Sequence, residues 1–297
     1  MKLIQLFILS ALVLFHVGCK SDSQKKETDS KNDNATIETE FSKEKTVKKI
    51  FFNLPSPIEL TQTILSSKSP YNADLLNPVD NVKNYATSAK LALNFGVYGA
   101  DLCYCRVYDQ LQESISYLAT IRKITEKLQI PEDEGSETIN RIEESIANSD
   151  SIFEIIAETY ASADGYLKEN ERDLTATFIL VGGWVEGMYF AVNINNDVSS
   201  KNQLNSKIAE QKFSIQNLMM LVDEYRDNST IAELHPLFTK LSQVYENITI
   251  SYDKAVIITD QETKVTTIDN STDINITQEQ LDEIRKLITE IRTKIIS

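Results

Sequence analysis

The sequence predicts an all-α fold: a single antiparallel bundle of about seven to nine helices around a buried central helix, with a small β-hairpin or irregular excursion before the last helix. Three observations carry this. The stretch Ala176 to Val192 is apolar or small throughout, interrupted by one charge, Glu186. Short polar caps followed by apolar residues at helical spacing recur along most of the chain. Between Ile248 and Ile268 that spacing gives way to a run of Ile, Val and Thr, which favours extended structure.

The central segment sets the architecture. A helix without a polar face is either buried in protein or lies in a membrane. Spanning takes about 20 apolar residues. This run is shorter, carries Glu186, Gly182, Gly183 and Gly187, and lacks basic flanks. It reads as a buried helix whose glycines let its neighbours approach closely.

The other elements follow in order. Ser56-Pro57-Ile58-Glu59 is a capping box with Pro at the first helical position, and Asn77-Pro78 opens a helix in the same way. Leu91, Phe95, Tyr98, Leu102 and Cys105 recur at helical spacing, and the pattern runs on through Leu111, Ile115, Leu118 and Ile121. Gly96 and Gly99 leave open one long helix or two, and Pro131 to Gly135 ends the run. Ser136 starts a helix with Ile139, Ile142 and Ile146 on one face, and Ser151 to Glu154 caps another leading into Ile156 and Tyr160.

Beyond the central helix, Leu204, Ile208, Ile215, Leu218, Val222 and Tyr225 mark one amphipathic helix. Thr230 caps the next, with Leu234, Phe238, Leu241 and Tyr245 on its face. Lys264 to Ile268 reads as strand, with turns near Asp260 to Thr263. Thr277 to Gln280 caps a last helix striped by Leu281, Ile284, Ile288, Ile291 and Ile295.

The N-terminus reads as a secretory signal peptide over residues 1–18: Met1 and Lys2, an apolar core from Leu3 to Phe15, and a small-residue site ending at Gly18. With Cys19 following directly, it resembles a bacterial lipobox, although His16 stands where the pattern has an aliphatic residue. The resemblance implies a diacylglyceryl and N-acyl anchor on Cys19, in a bacterial cell envelope, at the outer membrane. Several acyl chains make such anchoring stable. Residues 19–47 are polar, and a chain of that composition forms a disordered tether spanning roughly 30 Å. Residues 48–297 form the helical domain. Asn94 to Leu102 with Val107 to Gln110, and Gly182 to Tyr189, also resemble segments of uncharacterised all-helical bacterial envelope lipoproteins. That resemblance implies a secreted helical domain and supplies no activity.

Removing residues 1–18 takes away one of the 30 basic and none of the 44 acidic residues, leaving a net charge of −15. Such a surface disfavours nucleic acid. The expected partners are the membrane, through lipidated Cys19, and an envelope protein or small ligand. Cys103 and Cys105 in a C-x-C pair suit neither a disulfide nor a shared metal, and read as buried small residues. His235 is the one mature histidine, Met219 and Met220 read as core filler, and no catalytic motif, metal site or cofactor site is evident.

Two carboxylates stand out on apolar helices. Asn94, Tyr98, Asp101, Cys105 and Tyr108 share one side of a helix as a polar-aromatic stripe, and Glu186 sits between Trp184 and Tyr189. A buried carboxylate must be neutralised, paired or hydrogen-bonded. Tyr98, Asp101, Tyr108, Trp184, Glu186 and Tyr189 are therefore candidates for one of two arrangements. In the first they are a structural network, with Arg106, Arg172 or tyrosine hydroxyls as partners, inside a non-catalytic binding or structural module. In the second they form a pocket for a cation or polar ligand, or a carboxylate-based enzyme site.

Overall fold

The computed structural model describes residues 64, 69–130, 172–194, 198–252, 256–259, 266–269 and 272–297. The expected signal peptide with Cys19, the expected tether, the capping boxes read at Ser56 and Ser151, the helix read over Ile139 to Ile146 and the turn read near Asp260 lie outside them. Among the described residues there are seven α-helices: α1 (Ser88–Val107), α2 (Leu111–Lys127), α3 (Asp173–Asn193), α4 (Val198–Glu210), α5 (Lys212–Glu224), α6 (Ser229–Glu246) and α7 (Gln278–Ile296). Before α1 runs a strap, residues 69–85, with two 3-10 turns, Ala73–Leu75 and Val79–Asn84. Between α6 and α7 lie β1 (Thr249–Tyr252), β2 (Val256–Thr259), β3 (Thr266–Asp269) and β4 (Thr272–Asn275). The strands pair antiparallel as β1 with β4 and β2 with β3, in two two-stranded sheets, with Ile250 opposite Ile274 in the first. The fold is all-α with a small hairpin.

Helix α3 is the centre of the packing. Its most apolar window is 83% buried inside the protein, so a helix with the length and composition of a membrane span is enclosed by its own chain. Its closest partner is α1. A Cβ on Gly96 would lie 2.0 Å from the carbonyl oxygen of Ile179 and 2.5 Å from the amide of Gly183. One on Gly182 would lie 1.9 Å from the Leu93 carbonyl oxygen. The two backbones touch where glycine leaves no side chain between them. Both helices run in the same direction: Leu93 meets Gly182, and further along each, Tyr104 stacks on Phe190 at 4.5 Å between centroids. Helix α7 runs antiparallel to α3, with Arg285 reaching the Val192 carbonyl and Arg292 reaching Glu186.

Several boundaries differ from the sequence reading. The break after α1 falls not at Gly96 or Gly99 but at Asp109, which takes φ 53°. There the amide of Gln110 donates to the Cys105 carbonyl and that of Asp109 to the Arg106 carbonyl, satisfying the last turn of α1. Gly96 serves close approach instead. This turn resets the helical phase, so α2 buries Tyr117, Leu118, Ile121 and Ile124 and leaves Leu111 and Ile115 exposed. Asn77-Pro78 opens the second 3-10 turn, and α1 is capped by Thr87.

The stretch from Leu204 to Tyr225 is two helices, divided at Gln211. Helix α6 is capped by Asn228 rather than Thr230, because the Asn228 side chain accepts the amides of Thr230 and Ile231. The capping box at Thr277 stands as read. Met219 packs against the core, whereas Met220 is exposed.

Candidate functional site

The polar-aromatic stripe on α1 is the seat of the strap. Short 3-10 turns leave many backbone carbonyls without partners, and a buried backbone group needs one. Helix side chains supply them. Tyr108 donates its hydroxyl to the Ser69 carbonyl at 2.8 Å, Tyr98 to Pro78 at 3.0 Å, and Tyr117 of α2 to Asn77 at 3.0 Å. The Asn72 amide donates to the Tyr104 hydroxyl, and the Tyr71 hydroxyl lies 3.9 Å from Cys105 Sγ. The Asn77 side chain donates to Tyr85 and Asn94, and the Asn77 backbone amide donates to Asp101 Oδ1 at 3.5 Å. Every member of the stripe from Asn94 to Tyr108 thus faces the strap.

At the middle of this seat the two acids meet. Asp101 and Glu186 have no solvent exposure and are close enough for each to influence the other's titration. Glu186 accepts two hydrogen bonds of 2.7 Å from Arg292, one from Nε and one from Nη2. The same Nη2 donates to the Leu75 carbonyl of the strap at 2.8 Å. The guanidinium carbon sits 4.0 Å above the centre of the Tyr189 ring. This forked geometry is the one in which an arginine–carboxylate pair is strongest.

Asp101 is different. Its Oδ2 receives no hydrogen bond, and the neighbouring Glu186 carboxylate is itself an acceptor. A proton on Oδ2, donated to Glu186, resolves the conflict. Burial, and then the Glu186 charge, hold the Asp101 carboxyl well above the usual range, against the pull of Arg292. Burial also raises Glu186, with Arg292 opposing. The cluster then carries one negative and one positive charge. Burial pushes the Cys103 and Cys105 thiols up to about 12, so both stay protonated and inert.

The sequence candidates therefore divide. Tyr98, Asp101, Tyr108, Glu186 and Tyr189 belong to the seat. Trp184 does not: it is buried on another side of α3, donating from Nε1 to Gln211 Oε1 at 3.1 Å, where α4 gives way to α5. The predicted partners of the acids are corrected. Arg172 binds the Leu128 carbonyl, the Arg106 guanidinium lies 3.9 Å from Asp109, and the cation beside Glu186 is Arg292. Arg292, Asn77, Tyr85 and Tyr117 were missed. Arg292 had a signal: with Arg285, seven residues earlier, it flanks the apolar stripe of α7, so both lie along the edge that meets α3.

His235 pairs with Asp223 at 2.7 Å between α6 and α5, away from this cluster. Among the described residues no group of His, Cys, Asp and Glu is arranged to hold a metal. No protein-family model matches the chain, and neither a curated protein nor a solved structure is significantly similar to it.

Proposed function

We propose that the protein is a lipid-anchored bacterial envelope protein whose helical domain acts as a non-catalytic binding or structural module. The observation that supports the non-catalytic part is the state of the two acids. Glu186 has both oxygens bound by Arg292, and Asp101 is enclosed between Glu186 and the Asn77 amide. A general acid or base must reach a substrate proton, and these carboxyls reach protein groups instead. Glu186→Gln should then change stability and leave specific binding intact. Loss of a specific binding event at unchanged melting temperature would overturn this part.

The address rests on residues 1–19 and is tested separately. Cells fed labelled palmitate should label the wild-type protein and not Cys19→Ala, and the variant should leave the membrane fraction. An unlabelled wild-type chain would reject the anchor. Pull-down of the lipidated full chain is the direct route to a partner.

A further inference from the structure

The strap is held on the helices by the same groups that hold the acids. Arg292 bonds Glu186 and the Leu75 carbonyl with one guanidinium, and Asn77 gives its amide to Asp101 while its carbonyl takes the Tyr117 hydroxyl. The free oxygen of Asp101 is buried, and the Glu186 carboxylate is a neighbour of Asp101. Lifting the strap would admit water to that oxygen, and a hydrated carboxyl ionises in the ordinary carboxylate range. We infer that the strap, residues 69–85, is a proton-operated latch: it seats with one proton held between Asp101 and Glu186, and it opens with release of that proton.

The balance is simple. In the closed form the Oδ2–H of Asp101 donates to Glu186, whose charge is matched by Arg292. On opening, the O–H bond breaks, the proton passes to water, and Asp101 keeps the electron pair as a solvated carboxylate. Acid therefore closes the latch and base opens it.

The other titratable groups around the pair do not produce this behaviour. Tyr98 of α1, Tyr117 of α2 and Tyr85 of the strap are pushed further up by burial, so they stay neutral through the range in which carboxyls titrate. The buried thiols of Cys103 and Cys105 do the same. Burial works against the charge of Arg292 of α7, but its neighbours, Glu186 first among them, together raise it further, so it stays charged. Among the described groups around the pair, the carboxyls are the ones that change state in this range.

The test is amide hydrogen exchange on the full chain from about pH 5 to about pH 9, corrected for the intrinsic rate. Strap amides of Asn72, Leu76, Asn77 and Asn81 are compared with the core amide of Leu241. One released proton makes strap protection fall about tenfold per pH unit between the open and closed pKa values. Asp101→Asn, which keeps a donor toward Glu186 and cannot ionise, should abolish the slope. An equal slope in both proteins, or strap amides that exchange only together with Leu241, would overturn the latch. Should Asp101→Asn not fold, infrared spectroscopy of the wild type decides. A carboxylic-acid carbonyl band at neutral pH, lost over the same pH range as strap protection, supports it. A missing band, or one lost over a different range, rejects it.

Discussion

Arg292 on the last helix grips Glu186 on the central helix through two hydrogen bonds of 2.7 Å, closing a separation of 106 residues with both side chains buried. Taking such a pair out of water is costly, and the attraction repays the cost only when the remaining donors are used. Here Nη2 is used again on Leu75, and the face of the guanidinium lies over Tyr189. The pair fixes α7, α3 and the strap relative to one another. Its removal has a defined consequence: Arg292→Met should destabilise by about 3–5 kcal/mol, because Glu186 is left buried without its cation. Chemical denaturation checks this.

The α1–α3 contact gives a second prediction. Overpacking usually costs about 1–3 kcal/mol. At Gly96 and Gly182 the obstacle is backbone rather than a side chain that can turn away. Gly96→Ala and Gly182→Ala should each reach or exceed the upper end of that range. A melting temperature within a degree or so of wild type would contradict the close approach.

Stability should also depend on pH with a definite sign. The folded-state pKa of Asp101 lies above its unfolded value of 3.8, so the unfolded chain binds fewer protons in the window between them. Stability contributed by this group is fully present below about pH 4 and is lost as pH rises toward the folded pKa, at up to about 1.4 kcal/mol per pH unit. Glu186, also raised, acts in the same direction. Denaturation midpoints of wild type should fall from mildly acidic to neutral pH more steeply than those of Asp101→Asn.

Gln129 ends α2 with φ 54°, and the Ile130 and Gln129 amides close the last turn onto Thr125 and Glu126. A left-handed conformation costs a non-glycine residue about 1–2 kcal/mol, and glycine avoids it. After the greater chain entropy that glycine loses on folding, Gln129→Gly should stabilise by about 0.5–1 kcal/mol. A thermal melt would show it, and a destabilised variant would contradict this end for α2.

How far the sequence carries depends on which interactions are local. The apolar run of α3, the stripe of α7 and the capping box at Thr277 are encoded in neighbouring residues, and each is where it was read. The polar-aromatic stripe of α1 was legible for the same reason. What it faces was not, because the strap has no periodicity and is held by side chains from α1, α2 and α7. Gly96 shows a second limit, since a glycine that breaks a helix and one that lets a helix touch its neighbour look alike in sequence. Arg292 shows a third: nothing local distinguishes the arginine that pairs with Glu186 from Arg106 or Arg172.

The central claim is that Glu186 and Arg292 act as one structural joint. A double-mutant cycle of Glu186→Gln and Arg292→Met, read by urea denaturation of the folded domain, measures it most directly. The account predicts a coupling energy of about 2–3 kcal/mol, the double variant being much less damaged than the two single losses combined. Losses that add to within about 0.5 kcal/mol would mean that the two residues are independent, and the joint would not exist.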